Sequence, residues 1–359
     1  MQRGLCQFWQ NNKTSKKGDI WMDTTKVEKL FNRLTASEKI HEGVLLIENC
    51  TGDFSFSKAY KRDLDTPMLM ASITKLFTTT CIFALIQEGK LGLQDKISDY
   101  LPKAIVAGLH IYKGKDNSFD LTIAHLLFQT SGLPDYYLEG AIFKKIKQQD
   151  FSYSFEDILG WIKSKDSHFL PGLKRKAYYA DINFDLLGKI VETVNDSSLQ
   201  AAYTKYIFMP LSLKETYLAS GENDFAPYIY YKHLQLERPL FIRSCYASGG
   251  GVTTARELMI FIKAFWSGAL FDKAVFSKLT QCNPLQMKFY PIRYMGGYMK
   301  IPTFYPFGKK YTLVGHSGST GSFAFYCPEK NLFFVGDVPQ ISSPSICVRL
   351  VMRAALEIR

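Results

Sequence analysis

Apolar positions at helical spacing, Val27, Leu30, Phe31 and Leu34, predict a helix over Asp23 to Leu34, with Thr24 or Thr25 as its cap. The unbroken apolar run Gly43 to Glu48 has the pattern of a buried strand. After a turn at Gly52, Phe54 and Phe56 alternate with serines, which predicts a second strand. Leu76, Phe77, Cys81, Ile82, Leu85 and Ile86 cover much of the next helix, which opens near Ser72 and stops at Gly89. Leu91 to Tyr100 reads as a connector. Asp120 opens a further helix, closed by the turn Thr130 to Pro134. Helices are also expected over Phe155 to Ile162, Asn183 to Val194 and Leu199 to Ile207.

The pattern changes near Phe241. A glycine turn at Ser248 to Val252 leads into a helix through Leu258, Phe261, Ile262 and Phe265. Short aromatic strands are expected over Met295 to Lys300, Tyr311 to Gly315, Ser322 to Cys327 and Leu332 to Val338. Pro328 to Asn331 turns the last two into a hairpin, and Pro344 to Ile358 closes the chain as an amphipathic helix. The fold class predicted is therefore α/β, of the α+β kind. An antiparallel sheet from both chain ends is flanked by terminal helices, with a mostly helical region inserted. Residues 23–75 and 236–359 are expected to form the sheet lobe and residues 76–235 the helical lobe. The active site is expected in the cleft between them, and residues 1–22 are expected to be poorly ordered.

A chain of 359 residues fits one large domain or two subdomains, and 47% hydrophobic against 21% charged residues is ordinary for a folded protein. The net charge of +11 raises the question of nucleic acid. The basic residues are spread along the chain apart from short clusters such as Lys144-Lys145-Ile146-Lys147, no nucleic-acid motif surrounds them, and a solvated face is the simpler reading. Seven cysteines with no C-x-x-C pair argue against a disulfide framework and a zinc site. No cofactor or metal is expected. Met1 to Asp23 has no apolar core of a secretory leader, and no apolar run is long enough to span a bilayer, so a cytoplasmic compartment is expected.

One local pattern carries chemistry. Ser72-Ile73-Thr74-Lys75 is S-x-x-K at a helix start, and residues three apart share a helix face. A neutral lysine amine can take the serine proton, and burial favours the neutral form. S-x-x-K alone occurs by chance in many chains, so the surrounding pattern has to support it.

Two further stretches do so: Tyr179-Ala180-Asp181, followed by Leu186-Leu187-Gly188, and His316-Ser317-Gly318-Ser319. With Ser72-x-x-Lys75 they stand in the order of the S-x-x-K, Y-x-N and K-T-G (or H-x-G) motifs. The chain thus resembles the penicillin-recognising serine hydrolases: class C β-lactamases, related DD-peptidases and their esterase relatives. The likeness runs from about residue 25 to 358 and takes in Leu126-Leu-x-x-Thr130-Ser-Gly-Leu-Pro-Asp135 and Ser248-Gly-Gly-Gly-Val. It implies that Ser72 is the nucleophile, Lys75 its activator and Tyr179 a general base that passes a proton to the leaving group. The cation of Lys75 would pull the Tyr179 hydroxyl below the usual value of about 10. Tyr178 is a rival, but its spacing to Leu186-Leu187-Gly188 is one residue too long. Backbone N–H groups of Ser72 and Ser319 would form the oxyanion hole. Asp181, His316, Ser317, Gly318 and Ser319 would meet the substrate.

The chain departs from the pattern in two places. Asp181 replaces the motif asparagine; it reads equally as a helix cap before Asn183, and as a carboxylate it would hold Lys75 as a cation. His316 replaces the motif lysine and, neutral, would hold a substrate carboxylate less firmly. Asp135 reads as a turn residue and His125 as packing on its own helix. The expected function is a serine hydrolase of the β-lactamase-related type, acting on an ester, amide or β-lactam in a small molecule or peptide. The alternative is a protein of the same fold that binds a peptide or cell-wall fragment with little or no turnover.

Overall fold

The computed structural model describes residues 22–303 and 310–358. Residues 1–21, for which poor order is expected, lie outside the described residues. Helix α1 spans Thr25–Thr35, strand β1 Gly43–Asn49, strand β2 Ser55–Tyr60 and helix α2 Thr74–Gln87. Helices α3 (Phe155–Lys163), α4 (Ile182–Asn195) and α5 (Ala255–Ser267) follow. The late strands are β3 (Asn283–Pro284), β4 (Arg293–Tyr294), β5 (Met299–Thr303), β6 (Tyr311–Ser317), β7 (Ser322–Cys327) and β8 (Leu332–Asp337), and α6 (Ile346–Glu357) closes the chain.

These eight strands form one antiparallel sheet in the order β3-β4-β5-β6-β7-β8-β1-β2. The first strand of the chain lies against the last, with Leu46 opposite Val335. Successive strand side chains point to opposite faces, so the continuous apolar runs supply two cores. Leu45, Ile47, Phe323, Phe325 and Phe334 meet Val27 and Phe31 of α1 and Val351 and Ala355 of α6. Val44, Leu46, Ala324, Tyr326 and Val335 join the larger core built with α2, α4 and α5. Each large apolar side chain sealed in this way contributes roughly 1.5–3 kcal/mol. Arg62, 2% exposed, ties the chain leaving β2 to β8 by donating to Asp337 at 3.1 Å and to the carbonyls of Thr66 and Pro67.

Several expected boundaries move, each for a local reason. The α1 cap is Thr24, but its side chain makes no capping bond; Asp23 Oδ1 accepts the Thr25 N–H at 2.9 Å. The helix expected from Asp120 spans only Ile123–Leu127, because Thr122 caps it and Asp120 closes a separate 3₁₀ turn. The strand expected over Met295 to Lys300 is broken by the turn at Gly296-Gly297, where φ of Gly297 is +88°, so β4 ends at Tyr294 and β5 begins at Met299. The helix from Leu199 widens into a π turn over Thr204–Phe208. Pro210 has no N–H for the Tyr206 carbonyl four residues back, so the regular ladder fails there. Among the described residues no helix is long and apolar enough to cross a membrane.

Candidate active site

A short three-stranded sheet sets the Ser72 turn. Met68–Leu69 pairs with Gly251–Thr253, which pairs in turn with Tyr217–Leu218. Met70 N–H donates to the Gly251 carbonyl at 2.8 Å, and Gly251 N–H donates to Thr74 Oγ1 at 3.0 Å. A side chain at Gly251 would run into Met70. Ser322 Oγ, on β7, donates to the Met70 carbonyl at 2.8 Å. Held from both sides, Ala71 adopts φ of +45°, a left-handed conformation that costs a non-glycine residue of order 1–2 kcal/mol. The chain then enters a 3₁₀ turn over Ala71–Ile73, which presents Ser72, and continues into α2.

Lys75, one turn on, is fully buried, and its Nζ reaches Ser72 Oγ at 3.2 Å, Asp181 Oδ1 at 2.6 Å and the Ser248 carbonyl at 2.7 Å. An ammonium has three N–H donors, and these three acceptors use all of them. Nζ also stands 5.1 Å from the ring centre of Tyr179 and 5.6 Å from that of Phe184, favourable distances for a cation over an aromatic face. Asp181 precedes α4, but its side chain caps nothing there; it pairs with Lys75.

Tyr179 is 6% exposed, with its ring against Phe289, Tyr294 and His316. Gln286 Oε1 accepts its backbone N–H at 3.0 Å. Its hydroxyl is buried beside Ser72. Burial, and then the Asp181 carboxylate, push the phenol well above its ordinary value, with a hydrogen bond to Ser72 pulling the other way. This corrects the expectation that Lys75 makes Tyr179 more acidic. The resting side chain is a neutral phenol. Tyr178 turns outward instead: its hydroxyl donates to Glu139 at 2.8 Å and its ring stacks on His168.

Of the residues expected to meet substrate, Asp181 and Ser319 line the cavity beside Ser72, together with Thr320, Tyr136 and Tyr137. Its volume is about 30 Å³. His316, Ser317 and Gly318 stand behind this wall. His316 is fully buried; its Nδ1 is 2.9 Å from the Ser317 carbonyl and its Nε2 3.3 Å from the Tyr294 hydroxyl. A carbonyl only accepts, so Nδ1 carries the proton and Nε2 accepts from Tyr294. Burial, with the Lys75 charge, lowers the imidazole to about 3, so it is neutral at physiological pH. Ser317 Oγ faces Met299 Sδ at 3.8 Å. Gly318 packs so close to Ser322 and the Met70 carbonyl that a Cβ would collide with both.

Three residues not foreseen in these roles buttress the site. Asp135 is no ordinary turn residue: it is fully buried, Oδ1 accepts the Asp181 N–H at 2.8 Å, and Oδ2 accepts the Leu138 N–H at 2.9 Å. Burial and the neighbouring Asp181 charge raise its carboxyl to about 8. Asp185, also buried, accepts from the Tyr136 hydroxyl at 2.8 Å and the Ser248 N–H at 3.1 Å, and burial lifts it to about 6. Gln129, at φ of +57°, accepts from the Ala180 N–H and from Asn183. The signal for Asp135 was its place at the end of the stretch Leu126 to Asp135; Asp185 lies just before Leu186-Leu187-Gly188. His125 belongs elsewhere: its Nδ1 accepts the Thr122 N–H at 3.2 Å. Among the described residues no group of three or more His, Cys, Asp or Glu is placed to hold a metal ion.

Residues 36–336 match the family model described as Beta-lactamase. The chain is 31% identical over 178 residues to "Protein flp" of Staphylococcus aureus (strain MW2), covering 49% of this chain and 33% of that protein, so the match spans about a third of the relative's length. In structure it is similar to a D-stereospecific amidohydrolase from Streptomyces sp., with a TM-score of 0.77 at 20% identity over 92% of this chain and 98% of the other. It is also similar to an octameric penicillin-binding protein homologue from Pyrococcus abyssi, with a TM-score of 0.75 at 23% identity over 93% and 77% of the two chains. At these identities the structural matches speak to the fold, and the family model covers most of the sequence. The chain belongs to the Beta-lactamase family of serine hydrolases.

Proposed function

We propose that this protein hydrolyses an ester or amide through an acyl-enzyme on Ser72. The observation that carries the reading is the contact between Lys75 Nζ and Ser72 Oγ, 3.2 Å apart, at the wall of the cavity. Ser72 Oγ attacks the substrate carbonyl carbon and gives its proton to the neutral amine of Lys75. Asp181 Oδ1, 2.6 Å from Nζ, holds the lysine side chain against Ser72. The oxyanion would be met by the backbone N–H groups of Ser72 and Ser319; losing one such donor costs on the order of 10²–10³ in rate. Tyr179, as a neutral phenol, gives its proton to the leaving group as the bond between that group and the carbonyl carbon breaks. Lys75 then returns a proton to Tyr179. Water attacks the acyl-enzyme by the same route in reverse and restores Ser72.

Substrate would enter between the sheet part of the chain (23–75 and 236–359) and the helical part (76–235). Cavity residues from both support this: Leu69, Ser72 and Ser319 from the first, Tyr136, Tyr153 and Asp181 from the second. The Streptomyces amidohydrolase, similar in fold, gives amides a place in the substrate panel. The test is turnover of small aryl esters and amino-acid amides by the wild type and Ser72→Ala. Turnover lost in Ser72→Ala supports the reading; turnover that survives in it sinks the reading.

A further inference from the structure

The chemistry of the cavity wall constrains the substrate more narrowly, on the assumption that the acyl-transfer reading holds. Among the described residues, no Lys, Arg or His lines the cavity, and its only charged side chain is Asp181. Lys75, the cation just behind it, has its three donors committed to Ser72, Asp181 and Ser248. The His316 ring is closed off by its bonds to Ser317 and Tyr294. Much of the remaining wall is apolar, with Leu69, Ile229, Phe241 and Ile341. A carboxylate pushed into this space would lose its water, gain no cation and face Asp181.

We propose that the cavity beside Ser72 selects an ester or amide whose inserted part is apolar and uncharged, and rejects the same compound when that part bears a carboxylate. The polarity of the wall runs opposite to that of a site built for a substrate with a free carboxylate beside the scissile bond.

Two matched substrate pairs test this, one for each side of the scissile bond. In the first, the acyl group is glutarate on 4-nitrophenol, either as its methyl ester or as the free acid. In the second, the acyl group is acetate and the leaving phenol is methyl 4-hydroxybenzoate or 4-hydroxybenzoate. In the second pair each kcat/KM is divided by the uncatalysed hydrolysis rate; in the first, where the free carboxylate itself speeds uncatalysed hydrolysis, the two kcat/KM values are compared directly after subtracting that background. The expected result is a loss of about tenfold or more on exposing the carboxylate in at least one pair. A smaller loss in both pairs overturns the selectivity. Fluorophosphonate labelling separates this proposal from the reading beneath it. Ser72 labelled, with no discrimination between the pairs, defeats the selectivity alone; Ser72 unlabelled and no ester turned over defeats both.

Discussion

Lys75 is held by Asp181: the buried ammonium and the carboxylate meet at 2.6 Å, closer than the 3.2 Å between Lys75 and Ser72. The charge that orders the lysine also opposes its use as a base. In Asp181→Asn the counter-charge is gone, which leaves the buried Lys75 charge without its partner. Urea unfolding is expected to show a loss of roughly 3–5 kcal/mol, the usual cost of removing one side of a buried pair. An unchanged unfolding midpoint would mean that the two side chains do not form such a pair.

The Tyr179 hydroxyl is buried beside Ser72 while its ring packs on Phe289 and Tyr294, which separates its chemistry from its packing. Tyr179→Phe removes the hydroxyl and keeps the ring. The melting temperature should change little. Turnover should fall by roughly 10²–10⁴, the usual range for losing a positioned proton donor. Activity within about threefold of wild type would remove Tyr179 from the proton path.

Asp135 makes stability depend on pH. Its carboxyl stands at about 8 in the folded chain, against about 3.9 in an unfolded one. The folded state therefore keeps a proton that the unfolded state releases. The stabilisation from that proton is complete below about pH 4 and is lost as the pH rises through about 8. Asp185, at about 6, acts in the same direction over a lower window. Urea unfolding at intervals from pH 5 to 8 should show a stability slope that is shallower in Asp135→Asn by up to one proton. Parallel slopes for the two proteins would contradict the assignment.

His316 should not titrate where histidines ordinarily do. With its imidazole lowered to about 3, its ring-proton NMR signal should stay flat from pH 5 to 8, in the Nδ1–H tautomer. A midpoint near the ordinary value of about 6.5 would show that the ring is open to solvent or to a partner charge.

What could be read in advance follows from how local each signal is. Ser72 and Lys75 needed only one helical turn, and Tyr179 was separated from Tyr178 by its spacing to Leu187-Gly188. The sheet strands were legible because runs such as Ser322 to Cys327 are buried on both faces, as all six of these residues are. Asp135 was not legible, because its role depends on the Asp181 N–H, 46 positions away in sequence. The sign of the Tyr179 shift was missed for a related reason. Sequence placed a cation beside the ring but could not weigh it against complete burial and the Asp181 carboxylate. The break at Gly296-Gly297 was readable in principle, since two adjacent glycines within an apolar run signal a turn.

The covalent step at Ser72 is the central claim, and intact and peptide mass spectrometry tests it most directly. The folded protein is incubated with a fluorophosphonate and, separately, with a penicillin and an aryl ester. The expected result is a one-to-one mass increase with at least the fluorophosphonate, mapped to the peptide carrying Ser72 and absent in Ser72→Ala. Folded protein that takes up none of the three at Ser72, or the same label retained in Ser72→Ala, would contradict the account.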